Sequence, residues 1–442
     1  MCILILKIRF SFRYLRIVKT SLIINVEIPG TPAGSSRVLF NDETILAVGD
    51  SSITEAEDIY DAKGALLLPG VIDAHVHFRE PGMTYKADIS TESKAAMAGG
   101  VTSFFDMPNT LPPTTTITAW KEKMDLAHGS SAINYSFFIG ATNHNVEEII
   151  RADFSRIPGI KVFLGSSTGN MLLDDNSVLE FLFKHLRVPI VVHAEDEHVI
   201  RSAREKAIKK YNGNPPIYAH SEIRPHKACI EATDRAIRLL SRHPEAHLHI
   251  AHLSTAEELN MVRQAKNDRL HITCEVSPHH LLFTQDDYEN LGARIKMNPS
   301  VKTAADRDAL REGLIDGTID IIATDHAPHL LSEKEGNALT AVSGAPMVQF
   351  SLPVILDMFG PETAIKAMSL NPARIFGIRN RGMIAVGYKP EMVLVEKIAG
   401  GYNVDDRDVL SKCGWTPIKG KKLYHRVIKT IIPRAEEIRF RN

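Results

Sequence analysis

The sequence predicts an α/β chain whose main body is a (β/α)8 barrel, and three observations carry that prediction. Eight short apolar runs follow one another between residues 70 and 330. Amphipathic stretches such as 200–210 and 227–241 lie between them, which reads as repeated βα units around a parallel sheet covered on both faces. Residues able to hold a metal stand at the ends of these runs, where a barrel gathers them at one mouth. A doubly wound open sheet is the competing arrangement, and no GxGxxG after the first run supports it.

The runs, in order, are VIDAHVH (71–77), TSFFDMP (102–108), NYSFFIGA (134–141), GIKVFLG (159–165), PIVVHAE (189–195), HLHIAHLS (247–254), HITCEVS (271–277) and DIIATDH (320–326). In the first, His75 and His77 are two residues apart, so a strand points both to one face, about 7 Å apart along the backbone. The fourth run carries Lys161, the fifth His193, the sixth His252 and the eighth Asp325. Any one strand-end histidine is more often a hydrogen-bonded rim residue than a ligand. Six ligand-type residues at the same end of five strands make independent structural explanations a poor account, and the set points to a metal site.

Composition narrows the chemistry. The chain has 442 residues, 44% hydrophobic and 24% charged, with a formal net charge of −1. That is the profile of a soluble enzyme with one large domain and a smaller one, and its overall charge argues against nucleic acid or an anionic membrane as partner. The four cysteines are scattered without a CxxC spacing. They suggest neither a disulfide framework nor a thiolate zinc site, so a metal must be held by nitrogen and oxygen, and a reducing cytoplasm fits. The first nineteen residues carry five basic and no acidic side chains. Charges break each apolar run there before signal-peptide length, so an extension ahead of the first strand is expected, with a targeting or membrane-surface segment as the alternative.

Longer motifs make the chain recognisable: HVHFREPG (75–82), AGGVTSFFDMPNTLPPT (98–114), IKVFLGSSTGNML (160–172), IAHLST (250–255), IKMNPSVK (295–302) and ATDHAPH (323–329). Together they resemble the amidohydrolase superfamily, and within it the dihydroorotases of bacterial type that carry a carboxylated lysine. The resemblance runs from about Ser21 to the end. It implies a barrel over 70–377, with 20–69 and 378–442 joining as a small discontinuous β-sandwich from both termini and 1–19 as an extension. The final segment is shorter than the family pattern.

The resemblance also implies a centre of two Zn2+ ions: His75, His77 and Asp325 on one, His193 and His252 on the other, and a carbon dioxide-derived carbamate on Lys161 between them. An ammonium cannot ligate zinc, whereas a carbamate behaves as a long carboxylate. Asp325 is then the catalytic acid/base that serves a zinc-activated hydroxide, in the reversible cyclisation of N-carbamoyl-L-aspartate to L-dihydroorotate in pyrimidine biosynthesis. Ring closure takes up a proton and is favoured at lower pH. Arg79, Asn109 and His329 are implied as contacts to the substrate carboxylate, with Asn298 and the backbone near Ala345 and Pro346 on the substrate side. A salt bridge to Glu80 is the structural alternative for Arg79. Lys302 stands where many relatives have arginine, and GSSTGNM (165–171) reads as a loop over the site. A small-molecule substrate, a homodimer and a cytoplasmic location complete the expectation. An allantoinase- or dihydropyrimidinase-like hydrolase is the second reading, and an inactive subunit, which would have lost metal ligands, is the third.

Overall fold

The computed structural model describes residues 19–31, 37–165 and 171–441. The N-terminal extension, apart from Lys19, and residues 166–170 of the glycine-rich segment lie outside the described residues. Near the N-terminus, β1 (Thr20–Ile24), β2 (Arg37–Asn41), β3 (Ile45–Val48) and β4 (Asp58–Asp61) form one sheet in the order β3-β2-β1-β4, and β5 (Leu66–Pro69) leads into the main body.

The main body is the barrel. Its staves are β6 (Val71–Val76), β7 (Val101–Asp106), β8 (Asn134–Phe137) with its continuation β9 (Ile139–Gly140), β10 (Ile160–Phe163), β11 (Pro189–His193), β12 (His247–Ile250), β13 (Ile272–Val276) and β14 (Ile321–Ile322). Each pairs in parallel with the next, and a parallel bridge between Val76 and His326 closes the ring. All eight apolar runs contribute a stave because their side chains are buried on both faces. Ile72, Ala74, Phe105, Met107, Phe138, Val191, Ala251 and Ile321 fill the interior. Val71, Val76, Phe104, Val162, Val192 and Ile250 face the surrounding helices. The two amphipathic stretches are the helices Glu197–Lys210 and His226–Arg242. Side-chain caps begin several helices, as where Asp88 accepts from the Thr91 amide at Ile89–Ala98.

Two staves depart from regular geometry where the site is built. In β6, Asp73 pairs with Phe104 and Val76 with Asp106, so Ala74 and His75 together oppose the single residue Phe105. This bulge reverses the alternation. Ile72 and Ala74 point inward before it and Val76 points outward after it. The eighth stave is only two residues long because Asp73 takes over the chain beyond it: Thr324 donates from its amide at 3.0 Å and from its hydroxyl at 2.6 Å.

Strands from both ends of the chain meet beside the barrel. β15 (Met392–Asn403) pairs antiparallel with β5 and with β16 (Lys422–Ile431). Leu67, Met392 and Leu394 of this sheet pack against Ile23, Val38 and Ile45 of the first. The last residues lie elsewhere. Glu436 donates its amide to Asn134 Oδ1 at 3.0 Å, Ile438 donates to the Tyr135 carbonyl at 3.0 Å, and Ile438 and Phe440 join the barrel interior. Among the described residues no helix is long and apolar enough to cross a membrane.

Candidate metal centre

The β6 bulge turns His75 inward, and His77 follows on the same face with its amide donating to the His326 carbonyl at 2.8 Å. Asp325 reaches them from beyond β14 by a left-handed backbone turn, φ 49°. Its Oδ1 lies 3.0 Å from His77 Nε2 and 3.5 Å from His75 Nε2. One donor atom from each of the three falls within 4.8 Å of the others, and all three residues are buried. Burial opposes the Asp325 charge, yet His75 and His77 pull its carboxyl well below the usual range, so it is ionised. Burial pushes His77 down to about 4, against the pull of Asp325, and leaves it the neutral imidazole that metals require.

A second pair faces the first. His193 Nδ1 lies 3.0 Å from His252 Nε2, and the His252 and His75 rings are 5.4 Å apart between centroids. Burial lowers both His193 and His252; Lys161 adds to it at each, with Arg224 at His193 and His193 at His252, against the opposing pull of Glu195 on the first and Asp325 on the second. Lys161 is 0% exposed and its Nζ has no hydrogen-bond partner. Burial draws its amine down to about 8, although Glu275 and Asp325 favour the charged form. Two clusters of nitrogen and carboxylate donors without a thiolate suit borderline divalent ions such as zinc, so the residues present fit a metal centre.

Carboxylates that the sequence reading missed orient these ligands. Glu275 on β13 accepts from His75 Nδ1, from His249 Nε2 at 3.2 Å and from the His252 amide at 3.3 Å. His193 Nε2 is 3.0 Å from Glu195, which is itself paired with Arg224. Such partners fix the tautomer and direction of a ligating imidazole. His279, just after β13, was also missed: it is fully buried and neither ring nitrogen has a partner. The histidine-rich SPHH that follows the seventh run was the available signal.

On the substrate side Arg79 is 2% exposed, with Nε donating to the Pro328 carbonyl at 3.0 Å and Nη2 to His329 Nε2 at 2.9 Å. It does not pair with Glu80, whose carboxylate accepts instead from the Ile89 amide at 2.9 Å. Lys86 Nζ stands 2.9 Å from His329 Nδ1 and is itself paired with Glu333 at 2.7 Å. Burial, then Arg79 and Lys86, keep His329 neutral. Asn109 Oδ1 accepts from His77 Nδ1 at 2.7 Å, which leaves its amide nitrogen for another acceptor. Asn298 lines a cavity together with Ser343 and Lys296, and its Oδ1 is buried and unpartnered. Lys302 is buried and holds the Arg224 carbonyl at 2.9 Å and Ser300 Oγ at 2.7 Å, a structural cation. The Ala345 carbonyl accepts from the Ala327 amide at 3.1 Å.

The Amidohydrolase family model matches residues 66–432. The chain belongs to that family. It is 36% identical over 404 residues to a dihydroorotase of Methanosarcina acetivorans, covering 87% of this chain and 85% of that one. To a dihydroorotase of Halobacterium salinarum it is 35% identical over 391 residues, with 87% and 89% covered. To one of Lactobacillus gasseri the figures are 32% over 408 residues, with 89% and 93% covered. Among solved structures, an L-hydantoinase (dihydropyrimidinase) from Arthrobacter aurescens is similar with a TM-score of 0.88 and 26% identity, covering 95% of this chain and 96% of that one. A dihydropyrimidinase from Brevibacillus agri is similar with a TM-score of 0.84 and 25% identity, covering 96% and 95%. These neighbours share the barrel architecture, and the chain is a hydrolase of this family.

Proposed function

We propose that this chain is a cytoplasmic dihydroorotase that interconverts N-carbamoyl-L-aspartate and L-dihydroorotate, as a homodimer with two zinc ions. The observation that carries the reading is Arg79, a buried guanidinium held by Pro328 and His329 two residues beyond the ligand-type His77. A carboxylate is the group that such a pocket satisfies, because Arg79 is held by two neutral acceptors, the Pro328 carbonyl and His329, and a planar guanidinium binds carboxylates bidentately. Sequence likeness to dihydroorotases at 32–36% identity supports the same choice.

His75, His77 and Asp325 would hold one ion, His193 and His252 the other, with a carboxylated Lys161 serving both. An amine drawn down to about 8 in a dry setting is a better nucleophile toward carbon dioxide than an ordinary lysine. Bound there, a divalent pair supplies Lewis acidity toward a carbonyl and makes water more acidic. The protein supplies the rest. Arg79, with Asn109 and His329, seats the exocyclic carboxylate and fixes the ring. Asp325, ionised and with Oδ1 turned to the imidazoles, takes a proton from the attacking water and returns it to the departing ring nitrogen. Residues 20–69 and 378–435 form the accompanying outer domain in this reading, with 436–441 assigned to the barrel.

The second reading, a hydantoin- or dihydropyrimidine-opening enzyme, draws on the structural likeness to the Arthrobacter aurescens protein. Hydrolysis of L-dihydroorotate, allantoin and dihydrouracil by zinc- and bicarbonate-supplemented protein separates the two. Selectivity for dihydroorotate is expected. Turnover of the uncharged rings alone would overturn the substrate, and silence on all three would favour an inactive subunit.

A further inference from the structure

The loop that joins β15 to β16, residues 404–421, grows from the sheet beside the barrel and is fastened to the barrel's own connections. The Lys412 amide donates to Glu92 Oε1 at 3.0 Å, and Lys412 Nζ donates to the Thr84 carbonyl at 2.6 Å and to Asp88 Oδ2 at 3.1 Å. The Gln349 side chain accepts from the Leu410 amide at 2.8 Å and donates to the Asp408 carbonyl at 2.7 Å. The loop is thus tied to the segments that follow the first and the eighth staves.

These ties carry Trp415 to the substrate side. Its indole is 1% exposed, Nε1 donates to the His329 carbonyl at 2.8 Å, and the ring packs against Ala345. Arg294 and Lys334 stand over the ring at 5.6 and 5.9 Å from its centroid, within range of cation–π attraction. Lys334 in turn donates to the Val342 and Gly344 carbonyls, each at 2.6 Å. One side chain therefore braces two backbone segments of the site, the peptide at His329 and the stretch 342–345.

No metal-ligating residue touches Trp415, whereas Arg79 depends on it at one remove. The Arg79 guanidinium is aimed by the Pro328 carbonyl and by His329 Nε2, and the His329 peptide is the one that Trp415 holds. A bidentate pair with a carboxylate makes two parallel N–H bonds at once, so it tolerates little error in the direction of the guanidinium.

We propose that Trp415 is a positioning residue for the carboxylate pocket: by holding the His329 carbonyl it sets the direction of Arg79, so that a side chain carried outside the eight staves tunes which ring the barrel accepts. The inference rests on the dihydroorotase reading.

The test is a double-mutant cycle on the zinc-loaded enzyme. Trp415→Phe keeps an aromatic ring under Arg294 and Lys334 and deletes the N–H. It is expected to lower kcat/KM for dihydroorotate about three- to tenfold, the change residing in KM, with kcat within about twofold and zinc content unchanged. In the Arg79→Met enzyme the carboxylate partner is already gone, and the same substitution is expected to change kcat/KM by less than about 1.5-fold. Equal losses in the two backgrounds, or a wild-type KM in Trp415→Phe, would overturn the proposal while leaving the reaction standing. Lys412→Glu, at an exposed position, sets a carboxylate against Asp88 and loosens the same loop without touching the buried ring. It is expected to raise KM about threefold beside Arg79 and not beside Met at that position, and equal effects would overturn the proposal even if the Phe variant did not fold. A wild type that does not hydrolyse dihydroorotate at all would instead overturn the functional reading, and this proposal with it.

Discussion

Glu275 and His75 are joined across the barrel, the carboxylate on the seventh stave accepting from Nδ1 of a histidine on the first. The same carboxylate takes the His252 amide, so one side chain steadies a donor of each proposed metal position. Glu275→Gln is expected to weaken metal binding about 10- to 100-fold, as loss of such orienting partners does. Competition with a chelating dye checks this, and wild-type affinity in the variant would remove Glu275 from the centre.

Arg79→Met removes the cation between Pro328 and His329. Deleting a charged hydrogen bond to substrate in a buried site costs about 2–3 kcal/mol, so the KM for dihydroorotate should rise about 30- to 150-fold. Steady-state kinetics decide it. An unchanged KM would transfer weight to the hydantoinase-like reading.

Asp325→Asn keeps the shape of the side chain and removes its capacity to carry a proton. We expect kcat to fall by about 10²- to 10⁴-fold, with zinc content by elemental analysis largely retained. Substantial remaining turnover would show that the proton moves by another route.

Lys123 and Asp106 form a fully buried ion pair, 2.5 Å apart, and Asp106 also receives the Phe78 amide at 2.6 Å between His77 and Arg79. Lys123→Met strands that carboxylate and should cost about 3–5 kcal/mol of stability. Adding Asp106→Asn should recover part of the loss, since no buried charge is then left alone. Denaturant unfolding of the two singles and the double measures the coupling.

Lys296 gives a pH signature. Burial, followed by Arg224 and Arg204, draws its amine down to about 8 from 10.5. Between those values the unfolded chain binds the proton and the folded chain does not, so stability rises with pH across this window and is flat below it. Thermal melts of wild type and Lys296→Met should therefore differ most in favour of the variant near pH 7, and the difference should shrink by pH 10. A constant difference would place the Lys296 amine near its ordinary value.

The eight staves and the positions of His75, His77, Lys161, His193, His252 and Asp325 were legible because a parallel strand buried on both faces reads as a continuous apolar run, so a polar residue at its end stands out. The bulge at Ala74 and His75 was not legible. Strict alternation also puts His75 and His77 on one face, and only the pairing with β7 reveals that Ile72 and Ala74 share that face as well. Glu275 was invisible for another reason. In HITCEVS it reads as an ordinary interruption, and nothing local links it to a histidine 200 residues earlier.

Arg79 shows how far a motif reaches. HVHFREPG marks the residue, but whether it pairs with Glu80 or turns to His329 depends on the stretch 250 residues later that follows the eighth stave. The tail was least legible, since Ile438 and Phe440 look like a terminal strand and become barrel floor only through contact with β8.

That floor sets an order of assembly. Glu436 meets Asn134 across 302 residues of chain, and Ile438 and Phe440 fill the bottom of the barrel beside Phe105 and Phe138. While the chain is emerging from the ribosome, the staves can form and pair, but the lower end of their core stays open to water until these late residues are released. The nascent barrel thus presents an aromatic hole until residues 436–440 emerge, and sealing it follows the formation of the last stave.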